Sequence, residues 1–219
     1  MNPRLFFAAA LFAALCSPLL AEDVVILQLE KKGSPLAPLV IELFEAEAPK
    51  HASNFKKLVA KGFYNKTSIH RILPNALVQM GDPISRQKNM VDLGTGGPGY
   101  TLAPEIRHKH TEAVVGMGRL PDKINPGRLS NGSQFYITLR ALPELDGTQT
   151  VFGKITQGMD VLRELGNAPT DTNDAPVDRV VIRRATVVPK EKVATSTPPP
   201  RPSKLGWWSR LTGSIPKLF

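Results

Sequence analysis

Eight short runs of apolar and β-branched residues, at 24–29, 39–43, 68–73, 77–80, 113–117, 134–139, 150–155 and 177–188, constrain this chain more than any other feature. All but the last are six residues or fewer, and most are bounded by Gly, Pro, Asn or Asp, which is the signature of strands joined by turns. Gly33-Ser34-Pro35 between the first two runs predicts a hairpin. Only two segments carry helical spacing. Phe55, Leu58, Val59 and Phe63 recur three or four apart within 45–64, with Pro49 suited to a first turn and Gly62 to a stop, and residues 159–165 form a second, shorter stretch. Residues 81–107 are rich in Gly and Pro, have no period, and are expected to be loop. Many short strands and two helices imply a closed or nearly closed β-barrel, which leaves few sheet edges exposed.

The two ends of the chain differ from this body. Arg4, the apolar stretch from Leu5 to Leu15 and the small residue Ala21 read as an export signal over residues 1–21. Eleven apolar residues are too few to span a hydrocarbon core of about 30 Å. Cleavage after Ala21 would remove Cys16, the one cysteine, and with it any thiol chemistry. Residues 190–219 read as a Pro-rich basic linker with Pro198, Pro199, Pro200 and Pro202, followed by a tail in which Trp207 and Trp208 stand beside basic residues. Such a tail suits an envelope or membrane interface. It also holds most of the net charge of +9, for 190–219 alone carry +5 and Arg4 a further unit. The domain between, 22–189, is left mildly basic, which argues against a nucleic-acid platform.

Several chemistries are disfavoured by their missing parts. Gly94-Thr95-Gly96-Gly97-Pro98-Gly99 lacks the preceding strand and the Lys-Ser/Thr ending of a nucleotide cradle, so it reads as tight turns. His108 and His110 are the one close histidine pair, on a polar stretch, and no metal site is expected. Asn131-Gly132-Ser133-Gln134 is not a nucleophile elbow. Asn65 and Asn131 each open a glycosylation sequon, or are plain turn asparagines.

The remaining motifs occur in a fixed order: Ile69-His70-Arg71-Ile72-Leu73-Pro74, Val78-Gln79-Met80-Gly81-Asp82, the glycine run from Gly94 to Tyr100, Asn131-Gly132-Ser133-Gln134-Phe135-Tyr136-Ile137, Leu145-Asp146-Gly147 and Val151-Phe152-Gly153-Lys154. Together they closely resemble the cyclophilin family of peptidyl-prolyl cis-trans isomerases, in an exported, bacterial form. The resemblance implies a mainly β fold, a closed eight-stranded antiparallel barrel capped by two α-helices. It implies Arg71 and Gln79 as catalytic residues. Leu77, Phe135 and Leu145 are implied as the lining of a proline pocket that Gln149 closes, with Gly118 and Gln134 flanking the peptide groove. Proline-containing peptides and unfolded exported proteins are the implied partners of a monomer in the periplasm, with no cofactor.

The chemistry suits these residue types. Rotation about an Xaa–Pro bond faces a barrier of about 18–20 kcal/mol because amide resonance is lost, and no bond breaks. A fixed fork of guanidinium donors aimed at the prolyl carbonyl and nitrogen favours the twisted amide without moving a proton. Gln79 lies eight positions after Arg71, an even offset that puts both on one face if the turn at Pro74-Asn75 keeps the parity.

This sequence also departs from the family. Ala76 stands where a phenylalanine walls the proline pocket, Glu144 where cyclosporin-binding members have tryptophan, and Gln149 where a histidine or tyrosine is usual. Arg119 and Leu120 replace small or neutral residues, predicting a bulkier and more cationic groove rim. Two readings follow: an isomerase assisting the folding of exported proteins, or a weakly active or inactive module of the same fold that holds Pro-containing segments.

Overall fold

The computed structural model describes residues 22–87 and 92–194. The expected leader and all but the first five residues of the expected linker and tail lie outside them. The strands are β1 (Asp23–Lys31), β2 (Ser34–Pro35), β3 (Leu39–Leu43), β4 (Arg71–Leu73), β5 (Leu77–Met80), β6 (Val114–Met117), β7 (Phe135–Thr138), β8 (Val151–Gln157) and β9 (Val180–Pro189). The helices are α1 (Pro49–Ala60), α2 (Met159–Gly166) and α3 (Lys190–Ala194). All pairings are antiparallel, in the order β2-β1-β3-β8-β6-β7-β5-β4, with β9 on the other side of β1.

The result is a curled sheet whose ladder stops between β4 and β9. That seam is crossed by a short stretch ahead of β4: Lys66 N donates to Ile182 O (2.7 Å), Ile182 N to Thr67 O (2.8 Å) and Ile69 N to Val180 O (2.9 Å), around a single bridge between Ser68 and Val181. The strand expected at 68–73 is therefore shared between two neighbours. Its first half faces β9, and only Arg71–Leu73 pairs with β5. The expected 177–188 strand likewise starts three residues late, after an exposed Val177.

Helix α1 is shorter than its periodicity suggests because residues 45–48 form a turn before Pro49. Its N-terminus is not capped by Ala48. Glu105, far along the chain, accepts from the N–H groups of Lys50 (3.1 Å) and His51 (3.0 Å). Phe55 on α1, Tyr64, Phe135 and Phe152 meet inside the curl, with Phe135 edge-on to Phe55 (centroids 5.1 Å apart) and to Tyr64 (5.6 Å). This aromatic centre is completely buried.

Two helices were expected and a third is present. Residues 190–194, read from the sequence as the start of a linker, form α3, and Val193 packs on Val24 and Val40. Lys190 N also donates to Glu22 O (2.8 Å), so the folded unit runs past Pro189.

Candidate active site

The site is built on one row of the sheet. Arg71 on β4 is paired with Gln79 on β5, Gln79 with Tyr136 on β7, and Tyr136 with Gly116 on β6. Residues in register on neighbouring strands share a face, so Arg71, Gln79 and Tyr136 stand on the face away from the aromatic core. The parity expected for Arg71 and Gln79 holds because the Pro74-Asn75 turn, with Asn75 at φ 56°, makes the two residues direct partners.

Gln79 and Gln134 connect this row to the glycine run. The Gln79 side-chain amide donates to Gln134 Oε1 (3.1 Å), and Gln134 Nε2 donates to the carbonyls of Gly94 (2.9 Å) and Gly96 (2.7 Å). Gly94 and Gly99 adopt positive φ, which agrees with tight turns rather than a phosphate cradle. Gly118 lies against Gln134, where a Cβ would come within 3.2 Å of the Gln134 carbonyl and 3.5 Å of Gln79 Nε2.

Two concavities flank Gln79 and Gly94. One of about 610 Å³ is lined by His70, Arg71, Asp171 and Asn173 among others. The second, about 280 Å³, is lined by Gly118, Leu120, Ile124, Leu129 and Gln134 among others. Arg71 thus borders a hollow, with its side chain 45% exposed and Nε donating to Asp174 Oδ2 (3.3 Å).

Phe135 is not in this site. It points into the aromatic centre, fully buried, because strand alternation puts Gln134 and Tyr136 on the groove face and Phe135 on the other. The aromatic ring on the Gln79 face is Tyr136, itself buried, which forms a small apolar cluster with Leu77 and Leu142, bordered by Leu73, Ala76 and Leu145. The signal was available: counting by two from Gln134 reaches Tyr136. Leu77 shares the face of Gln79 and Tyr136, but Leu77, Leu145 and Gln149, the expected pocket residues, line neither concavity.

Tyr136 is held from behind. Its hydroxyl lies 2.7 Å from His110 Nε2, and His110 Nδ1 lies 3.0 Å from Asp146 Oδ1, which also accepts from His110 N (2.7 Å). Burial pushes the phenol well above its ordinary pKa. Burial also lowers the His110 value, against the opposing pull of Asp146.

Arg119 lines the smaller concavity, as expected of a rim residue, but its charge is engaged within the protein. Its side chain is only 8% exposed, paired with Asp122 (2.6 Å) and donating through Nε to Thr148 O (2.7 Å). Arg128 pairs with the other oxygen of Asp122 (3.1 Å) and donates to Gly147 O (2.7 Å). Both arginines therefore tie the 119–129 loop to the turn after Leu145. Leu120 does stand out as a bulky apolar rim, 57% exposed.

A serine, a histidine and a carboxylate also meet elsewhere. Ser130 Oγ is 2.9 Å from His51 Nε2, and His51 Nδ1 is 2.7 Å from Glu105 Oε2. Ser130 is buried and lines neither concavity, so the trio braces α1 and offers no nucleophile to a substrate. Both sequon asparagines are structural: Asn65 Oδ1 accepts from Ala185 N (3.0 Å), and Asn131 Oδ1 accepts from Gln134 N (3.0 Å).

Residues 26–187 match the family model described as cyclophilin type peptidyl-prolyl cis-trans isomerase/CLD. The chain is 40% identical over 156 residues to the peptidyl-prolyl cis-trans isomerase-like 1 of Emericella nidulans, covering 70% of this chain and 90% of that protein. It is 36% identical over 173 residues to the peptidyl-prolyl cis-trans isomerase cypE of Dictyostelium discoideum, covering 76% and 99%. Among solved structures, a Cryptosporidium parvum cyclophilin type peptidyl-prolyl cis-trans isomerase superposes with a TM-score of 0.65 at 29% identity, covering 76% of this chain and 97% of that one. The same Cryptosporidium protein in the presence of the dipeptide Ala-Pro gives 0.64.

Proposed function

The chain belongs to the cyclophilin family of peptidyl-prolyl cis-trans isomerases, and from that premise we propose that it accelerates Xaa–Pro rotation with Arg71 as the group that stabilises the twisted amide. The observation that carries this reading is the direct pairing of Arg71 with Gln79, both of which line the larger concavity. Rotation strips the imide nitrogen of its conjugation and leaves a lone pair on it. Guanidinium donors placed there are worth more to the twisted form than to either planar one. Gln79, fixed through Gln134 to the glycine run, holds the substrate backbone in place. Leu77, Tyr136 and Leu145 supply the apolar surface for the ring, and Gly118 and Gln134 border the groove for the flanking peptide.

Its clients are proline-containing segments of exported proteins, and its place is the periplasm of a bacterium. The leader-like residues 1–21 support this, and the Trp207-Trp208 tail supports contact with the envelope. The described domain works as a monomer without a cofactor.

The test is a protease-coupled isomerisation assay on a short Xaa-Pro peptide. Arg71→Ala is expected to lower kcat/KM by about a hundredfold, the loss typical of a transition-state donor. Equal, slow rates for both proteins would remove the catalytic reading. One observation favours the second reading, a binding module with little turnover: Ala76 gives the Leu77, Tyr136, Leu145 cluster no aromatic wall, and neither concavity reaches Leu77, Tyr136 or Leu145.

A further inference from the structure

Arg71 has a long, flexible side chain at the end of a three-residue strand, and its usefulness depends on where its donors point. Asp174 is the one charged partner that the described residues give it. The contact joins Asp174 Oδ2 to Nε, at 3.3 Å, and no hydrogen bond among the described residues engages Nη1 or Nη2. Held in this way, the guanidinium keeps its two outer nitrogens for a substrate while its inner one is occupied.

Asp174 is itself firmly placed. Its carbonyl accepts from Ile72 N (2.8 Å), the residue after Arg71, so its backbone is stitched to β4 beside the arginine it pairs with. Its φ of 62° is the left-handed conformation that Asp tolerates better than most residues. The surrounding turn is closed by Asp171 N donating to Ala175 O (2.8 Å), by Asp171 Oδ1 accepting from Asn173 N (2.8 Å) and Ala175 N (2.9 Å), and by a bridge between Thr170 and Pro176. Asp171 and Asn173 from the same turn wall the larger concavity. An exposed ion pair contributes little to stability. A carboxylate on a rigid turn, aimed at one nitrogen of a mobile guanidinium, narrows the directions that the other two take.

We propose that Asp174 is a positioning residue, acting through Arg71 to fix the direction of its Nη donors. The proposal rests on the catalytic reading of Arg71. It is tested with the full chain by comparing wild type, Asp174→Ala, Asp174→Asn and Arg71→Ala for kcat, KM and thermal midpoint, and the three proteins that keep Arg71 for the NMR exchange rate of its Nε–H proton. Asn keeps an oxygen that accepts from Nε, whereas Ala keeps nothing. Asp174→Ala is expected to lower kcat about three- to tenfold with KM changed less than twofold. Its Nε–H should exchange faster, and Asp174→Asn should recover most of kcat and slow exchange.

Unchanged or raised kcat in Asp174→Ala, while Arg71→Ala is crippled, would overturn the proposal. Equal losses in the Ala and Asn variants at an unchanged midpoint would also overturn it, since charge rather than direction would then matter. If wild type and Arg71→Ala turn over equally slowly, the catalytic reading itself fails. The proton-exchange comparison then still reports whether the clamp exists.

Discussion

Phe135 and Tyr136 are neighbours on β7 and stand on opposite faces of the sheet, the first among Phe55 and Tyr64 and the second beside Leu77 over Gly116. Their truncation should therefore separate stability from activity. Phe135→Ala is expected to cost about 3–5 kcal/mol, read as a lower urea midpoint, because the aromatic centre cannot close over the void. Tyr136→Phe keeps the ring but leaves His110 Nε2 without its partner, at about 1–3 kcal/mol. Tyr136→Ala should raise KM for an Xaa-Pro peptide more than any change at Phe135 that still folds. The reverse assignment in a peptide titration would put Phe135 back in the site.

Gly116 is needed for lack of a side chain, not for its φ. A Cβ there would overlap Cζ and Oη of Tyr136. Gly116→Ala should destabilise by about 1–3 kcal/mol and reduce isomerisation, because the ring must leave its place. Combined with Tyr136→Ala, the same substitution should cost much less. A double-mutant cycle showing simple additivity would contradict this.

Acid should weaken the fold in two stages. Burial holds the imidazoles of His51, His70 and His110 below the ordinary value of 6.5. The unfolded chain accepts protons that the native state refuses, so stability is full above that value and falls as the pH drops below it towards the native values. Burial opposes but does not prevent the lowering of Glu105, whose carboxylate accepts from the His51 ring and from the backbone of His51 and Lys50. Its contribution is present above the unfolded value of 4.5 and is lost as the pH falls below that, through its native value. Urea midpoints measured from pH 8 to pH 3 should decline continuously below about 6.5. A flat profile to pH 5 would rule the histidine part out.

Asp122 holds Arg119 and Arg128 together at the groove rim. Asp122→Ala should release the 119–129 loop, with faster tryptic cleavage after Arg119, Lys123 and Arg128 and weaker peptide binding. The thermal midpoint should fall as well, because the Arg119 side chain, only 8% exposed, loses its charged partner. Unchanged cleavage kinetics would show that backbone bonds alone hold the loop.

What the sequence revealed was local or periodic. Alternation and turn residues located every substantial strand, and the even offset from Arg71 to Gln79 placed them together. The same counting applied to Gln134 yields Tyr136 on the Gln79 face, whereas the resemblance implied Phe135. The features that escaped are partnerships between distant positions. Arg71 and Asp174 are 103 residues apart, and His51 meets Glu105 and Ser130 at separations of 54 and 79. Nothing near Arg119 in the chain announces that the Thr148 carbonyl will accept a hydrogen bond from its Nε. Helix α3 was hidden for the same reason: its anchor is Glu22 at the far end of the domain.

The first and last long strands, β1 and β9, lie side by side from Asp23 opposite Pro189 to Lys31 opposite Val180. A chain growing from its N-terminus therefore holds β1 with one flank bare until some 150 later residues have been made. Completion of the domain waits for that final segment, and a product stopped short of it keeps an open, adhesive border that invites chaperones or proteases.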